Sequence, residues 1–525
     1  MSAAAGVRYD SIIVGGGHNG LVCAAYLARS GRSVLVLEAA SQVGGAAVTR
    51  EFAPGFKVSA CAHLLHLMPP ALMRELDLET LGLKLAAADL PSTALGTDGA
   101  HLALGVDAPS ALAAHSPADA AAYADWQALL SRLAAALHPV LSATPPRLGT
   151  EAWRDQAALL SLGWRLRRLG RSDLRELLRI GGMCVHDLLE DRFRLPLLKG
   201  ALALDAVLGT NYGPRSPGTV LTLLYRAAAA PGAARLAQPL GGLGALSEAL
   251  ARSAVSAGAE VRTDAVVERI LVREDRAAGV RLASGEEIAS QTVVSSADPK
   301  TTFLRLLGCE HLDAGFVRRV SQLRSRGLTA KLHLALSQLP EFPGLTPAAL
   351  RGRLLVAPSP DYIERAYNHA KYNEVSSAPM LEVTIPTLAD PSLAPGGRHV
   401  MSVIVQYAPY VLAGAGGWPG QRQPFADLVI DTLARYAPGL GDCVISSELL
   451  APPDIEREFR ISGGHWHHAE LALDQFFMVR PVPGATQYRS PLPGLFLCGA
   501  GCHPGGGVMG LAGRNAAQAL IREAA

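Results

Sequence analysis

Tyr9-Asp10-Ser11-Ile12-Ile13-Val14-Gly15-Gly16-Gly17-His18-Asn19-Gly20 decides the fold, because it reads as a buried strand, a glycine-rich turn and the start of a helix. The run Ser11 to Val14 has the continuous apolar character of a strand covered on both faces, and Leu21 to Arg29 continues as a helix whose Ala24, Ala25 and Ala28 allow close packing. Gly15, Gly17 and Gly20 fill the G-x-G-x-x-G positions. The first permits the tight turn, the second lets a pyrophosphate approach the backbone, and the third brings helix against strand; His18 and Asn19 open the helix, whose free N–H groups favour an anion. A second strand, Ser33 to Leu37, ends on Glu38, placed to accept hydrogen bonds from a ribose. With strand, turn, helix, strand and acid in order, dinucleotide binding is the expected role.

Downstream, Gly44-Gly45-Ala46 would set a second backbone turn against the cofactor phosphates, a feature a nicotinamide domain does not need. A Gly-Gly pair at this distance past the ribose acid resembles the extended fingerprint of FAD enzymes of the amine oxidase and phytoene desaturase superfamily. The stretches Leu240 to Leu246, Ala259 to Arg262, Ala265 to Ile270, Gly279 to Leu282 and Thr292 to Pro299 resemble the middle segment of the carotenoid/retinoid oxidoreductases. That resemblance implies that a backbone group of Val267 holds the adenine. Leu495 to Gly510 resembles the family's closing strand, turn and helix, which implies that Gly499, Ala500, Gly507, Val508 and Met509 lie against the pyrophosphate and flavin, with the helix from about Gly510 to Ala524 aimed at the ring.

The implied fold is α/β: a discontinuous Rossmann-like FAD-binding domain (8–101, 238–303 and 484–525) and an α+β substrate domain, in the amine oxidase/phytoene desaturase architecture. The first substrate insertion, 102–237, reads as helices over Asp119 to Leu137, Ala152 to Leu169, Ser172 to Leu189 and Arg194 to Leu204. Alanine-rich stretches at Ala111 to Ala122 and Ala227 to Ala234 read as helix ends. The second insertion, 304–483, carries strands at Lys331 to Leu336, Met380 to Ile385 and His399 to Tyr407, predicting a mixed sheet above the flavin.

Two departures from the family pattern bear on chemistry. Ala500 stands where many relatives carry an acid, so one ribityl or phosphate contact falls to the backbone. The seven cysteines contain no C-x-x-C or C-x-x-x-x-C beside a flavin motif, and no second complete fingerprint serves NAD(P)H. Cys61 and Cys502 lack the covalent attachment pattern, so the expectation is one noncovalent FAD.

Lys331, by resemblance, matches the amine oxidase lysine that holds a water at flavin N5; the alternative is a strand-edge lysine facing solvent. Gly463-Gly464-His465-Trp466-His467-His468 is the densest polar cluster; its glycine pair suggests a loop entering Leu471 to Phe477, the resemblance implies that this segment lies close to the flavin, and the cluster is expected to line the pocket rather than form an ordinary surface loop, with His465 its candidate for chemistry. A metal is not expected there: only His465 and His468 could share a helical face, and no further ligand sits at a familiar interval. His63 and His66 read equally as pocket or core histidines. His503, in the closing turn, is a candidate for positioning or acid/base work.

Composition fits these expectations. The chain has 525 residues, 49% hydrophobic and 18% charged; 48 basic against 46 acidic side chains give +2, which carries no polyelectrolyte signature for nucleic acid. An odd, scattered set of cysteines points to a reducing compartment and no window reads as a membrane span, so the expected location is cytoplasmic, with a mitochondrial matrix implied for eukaryotic relatives. Met1 to Arg8 is too short for a targeting peptide before the strand begins. Trp164 to Arg171, with Arg175 and Arg179, interleaves arginine and leucine, which suits either peripheral contact with an anionic membrane or an ordinary solvated helix face. The expected activity is hydride removal from an apolar small-molecule substrate with electrons passed to oxygen or a quinone. Amine oxidation, or a flavoprotein with a protein partner and little turnover, are the alternatives.

Overall fold

In the computed structural model, residues 9–105, 108–229, 236–414 and 416–524 are described. The Met1 to Arg8 reading and the last part of Ala227 to Ala234 lie outside them. Two seven-stranded sheets organise the chain. In the first, Tyr9–Val14 pairs in parallel with Val34–Leu37 on one side and Glu287–Ser295 on the other, setting Ile12 opposite Leu35 and Val293. The second half of Glu287–Ser295 pairs in parallel with Leu495–Leu497, and its first half pairs antiparallel with Arg276–Leu282. Strands from the beginning, middle and end of the chain thus share one sheet. Ile12, Ile13, Leu35, Val36, Val293 and Val294 are fully buried, as expected of strands covered on both faces.

The helices His18–Arg29 and Leu511–Ala524 pack on this sheet and on each other. A β-carbon on Gly513 would stand 2.1 Å from the Asn19 carbonyl oxygen, so glycine permits the close approach that brings the last helix beside the first turn.

The second sheet runs Val444–Leu450, Thr329–Leu336, His399–Gln406, Met380–Thr384, Arg353–Val356, Ser92–Ala94 and Leu102–Leu104. Its two-residue alternation sorts the chemistry. Ala330, Leu332, Leu334, Leu381, Val383, Met401 and Val403 join a core packed against the helix Gly417–Ala434. Lys331, His333, Glu382, Thr384, Ser402 and Gln406 occupy the alternate positions and are buried as well, under the segment that follows Phe56–Ser59.

Some expectations change. A boundary after residue 101 falls inside the hairpin of Ser92–Ala94 and Leu102–Leu104, whose first strand pairs with Arg353–Val356; residues from about 92 therefore serve the second sheet. The single helix expected over Ser172 to Leu189 is two, Gly170–Ile180 and Val185–Glu190, because Gly181 and Gly182 interrupt it and Cys184 caps the second through the Asp187 N–H. Likewise Ala111 to Ala122 spans a break at Ser116, whose hydroxyl accepts from the Asp119 N–H at the head of Pro117–Leu141.

Candidate active site

Gly15, with φ of 95°, ends the first strand, and the helix begins at His18 with Gly17 as its N-cap. No side chain caps it, which leaves the first-turn N–H groups free to meet an anion. The Gly44 N–H donates to the Gly16 carbonyl at 2.9 Å, so the two glycine turns are tied by backbone. Gly44 and Gly45 both take positive φ, 128° and 55°. Glu38 accepts from the N–H groups of Gly16 at 2.7 Å and Ala40 at 2.9 Å, which fixes its carboxylate at the rim.

These pieces border one groove. Of the residues expected from sequence, Gly15, Gly17, His18, Asn19, Glu38, Gly44, Gly45, Ala46, Val267 and Ala500 line it. Gly20 does not: its β-carbon would stand 2.2 Å from the Gly15 carbonyl oxygen, so it serves the packing of helix on strand. Gly499, Gly507, Val508 and Met509 also stand off the lining. Gly499 lets the closing turn pass over Ser296, the Gly507 carbonyl lies 3.1 Å from His18 Nε2, and Met509 is buried near Tyr225. The donor set fits a dinucleotide: an uncapped helix N-terminus, walls of glycine backbone, a fixed carboxylate, and two buried polar atoms without protein partners, Asn19 Oδ1 and His468 Nδ1.

Sequence reasoning missed Ser296 and Asp298, which line the same groove. Asp298 organises one wall by accepting from the N–H groups of Lys300, Thr301 and Ser462. The segment Gly463 to His468 is a loop, so helical spacing does not govern it. His465 turns inward, its Nε2 3.4 Å from Glu470 and its Nδ1 accepting from the His467 N–H, while Trp466 and His468 reach the groove. Of the cluster expected to line the pocket, Trp466 and His468 do so, and His465 and His467 do not. Burial lowers the pKa of His468 and of His18 to about 4 each, so both rings are neutral at physiological pH. His503 is off the groove: its Nε2 is 2.9 Å from the Val140 carbonyl and its ring packs on Phe477, pinning the closing turn to the helical insertion.

Lys331 is fully buried in an interior strand, which excludes the solvent-facing alternative. Its Nζ donates to His63 Nδ1 at 2.7 Å. A ring that accepts at Nδ1 carries its hydrogen at Nε2, which lies 2.8 Å from Glu382 Oε1. The other Glu382 oxygen is held by Arg353, whose guanidinium also reaches Asp205 at 2.7 Å. Burial lowers the Lys331 pKa to about 7, partly opposed by the charge of Glu382. Burial first, and then the Lys331 charge, lower His63 to about 4, consistent with a neutral imidazole bridge. Glu382 stays well below the usual carboxylate range because Arg353 outweighs its burial. Lys331 and His63 are not among the groove's lining residues; the relay sits in the second sheet.

Arg480 was also missed. It is 1% exposed and, without a carboxylate, donates to six backbone carbonyls, those of His467, Ala469, Glu470, Gln475, Ala500 and Cys502. It clamps the groove-lining histidine loop to the closing turn.

A discontinuous Rossmann-like sheet with a doubled glycine cradle, joined to a mixed sheet, defines an FAD-dependent oxidoreductase. The family model for flavin containing amine oxidoreductase matches residues 20–521, and the chain belongs to that family. "Pyridine nucleotide-disulfide oxidoreductase domain-containing protein 2" of Mus musculus is 39% identical over 98% of this chain and 94% of its own length. A limonene dehydrogenase component from Castellaniella defragrans is 27% identical over 98% and 94%. Among solved structures, the cyclohexylamine oxidase of Brevibacterium oxydans covers 99% of this chain and 100% of its own, with a TM-score of 0.57 at 16% identity, a likeness of fold. The mouse protein's name refers to disulfide chemistry, whereas all seven cysteines here are free thiols, and burial pushes Cys61 and Cys502 up to about 12. No helix among the described residues is long and apolar enough to cross a membrane.

Proposed function

We propose that this chain removes a hydride from an apolar carbon centre and passes the electrons to oxygen or a quinone, with Lys331 as the charge-setting residue of the reaction chamber. FAD, when bound, supplies the electron sink. The chain's residues do the rest. The glycine turns and the first helix would hold the diphosphate, Glu38 would orient the ribose, and the Val267 strand would border the adenine end. The observation that supports the reading is the buried relay: a lysine that titrates near neutrality, oriented through a neutral imidazole by a carboxylate that an arginine fixes in turn. In this reading Lys331 holds a proton at Nζ, and its field, strengthened by low-dielectric surroundings, favours the negative charge that develops in the reaction. The limonene-dehydrogenase relative supports an apolar substrate. Amine oxidation is the second reading, favoured by the description of the matching family.

Anaerobic mixing of the yellow enzyme with panels of terpenoid hydrocarbons, polyenes and amines separates these readings. The proposal expects bleaching by a member of the hydrocarbon panels; bleaching by amines alone would replace it with the second reading.

The relay makes its own prediction. Lys331 is charged below about pH 7 and neutral above it, so reoxidation should be fast at low pH and fall through a limb near 7. Lys331→Met should slow the low-pH rate by about ten- to a hundredfold and flatten the profile, with FAD affinity unchanged. Glu382→Gln removes the charge that raises the lysine's pKa, so the limb should move to lower pH. Stopped-flow reoxidation across pH tests both, and a wild-type profile in either variant would separate the relay from the chemistry.

A further inference from the structure

Away from the cofactor, the helix Trp153–Arg168 carries an apolar line on its outer face in addition to its inner one. Its inner face is held by Asp155, buried and bonded to Arg147 and Gln487, with Leu159, Leu162 and Leu166 half-buried. At about 100° per residue, Trp153, Leu160 and Trp164 lie within about 40° of one another on the outer face. They are 71%, 75% and 62% exposed. Arginines flank this apolar line on both sides: Arg167 on one, Arg154, Arg165 and Arg168 on the other, all exposed. On the adjoining helix Gly170–Ile180, Leu178 is 74% exposed, and Arg171 and Arg175 line an open cleft of about 900 Å³ that also holds Asp125 and the paired charges of Arg132 with Asp173 and Arg192 with Glu176. No Asp or Glu occurs from Gln156 to Ser172. Arg154, Arg165, Arg167, Arg168, Arg171 and Arg175 enter no ion pair among the described residues, while their neighbours Arg132, Arg147, Arg179 and Arg192 all do.

We infer that this face docks on an anionic lipid surface. A solvated helix has no use for two exposed tryptophans in register at the centre of its polar side. A line of tryptophan and leucine edged by unpaired arginines is the pattern of a helix lying in the membrane plane, its indoles at headgroup depth and its guanidiniums on lipid phosphates. The unmatched positive charge selects an acidic surface, and the Asp155 contacts anchor the face to the body of the protein.

Sedimentation of the FAD-loaded full chain with vesicles tests this. Vesicles of phosphatidylcholine with about 30 mol % phosphatidylglycerol should bind it at least about tenfold better than phosphatidylcholine alone, and about 0.5 M salt should weaken the binding. Trp153→Ser with Trp164→Ser should abolish sedimentation. Arg167→Glu with Arg168→Glu, kept as a separate variant, should lower it by roughly fivefold or more for each residue changed. Flavin absorbance in each variant reports that the protein is folded and loaded. Equal, weak sedimentation with both vesicle types would overturn the inference. So would a tryptophan emission shift that follows protein concentration without lipid, since a second copy of the chain would then cover the face.

Discussion

Gly17→Val should yield a folded but colourless protein. A β-carbon at Gly17 meets only Ser296 Oγ, at 3.8 Å, and the residue has an ordinary φ of −68°, so the chain accommodates the substitution. The same β-carbon enters the groove at the uncapped start of the first helix, where the diphosphate must approach the backbone. FAD affinity should fall at least about a hundredfold, or about 3 kcal/mol. Gly20→Ala is the contrast. Its β-carbon would stand 2.2 Å from the Gly15 carbonyl oxygen, so it should lower the thermal midpoint of the protein itself. Cofactor titration with circular dichroism separates the outcomes, and a Gly17→Val protein that binds FAD normally would place the diphosphate elsewhere.

Arg480→Met should be the most destabilising change in the closing region. It strips the donors from six carbonyls, five in loops and one, that of Gln475, at the end of a short 3-10 helix, with no strand ladder to replace them. Buried acceptors left unpaired lose about 1–3 kcal/mol each when they cannot relax, and because the effects are not additive we expect a net loss of about 3–5 kcal/mol. FAD binding should weaken as well, since two of the clamped segments carry Ala500 and His468 to the groove wall. Arg480→Lys, with three donors, should recover part of both effects. Denaturant unfolding with and without added FAD measures them; a wild-type midpoint for the methionine variant would show that the carbonyls find other donors.

What the sequence disclosed depended on how local each signal was. The first strand, its glycine turn, the next strand and Glu38 lie within 30 residues and carry their own periodicity, and the strand Tyr9–Val14 has the expected bounds. Lys331 was legible as a position, but its partners were not: His63 and Glu382 lie 268 and 51 positions away, and the sheet register that unites them follows from strand order. Alternation in Met380 to Thr384 carried a usable hint, since it sets Glu382 and Thr384 on one face and Leu381 and Val383 on the other. Arg480 gave no signal, because its partners are carbonyls that every sequence possesses. The histidine cluster was legible as a pocket-lining loop from its glycine pair, but which of its side chains faces the groove was not: Gly463, Gly464 and His468 all take positive φ, and that backbone turns His465 inward and His468 outward.

The central claim is that the glycine cradle holds one FAD without a covalent bond, and acid or heat release of the cofactor from purified protein tests it most directly. The expected result is yellow protein whose denatured supernatant contains FAD at about one per chain, identified by its chromatographic retention and by fluorescence that rises on hydrolysis to FMN, with a colourless pellet. Colourless protein that takes up no added FAD, or flavin that stays with the precipitated chain, would contradict the account.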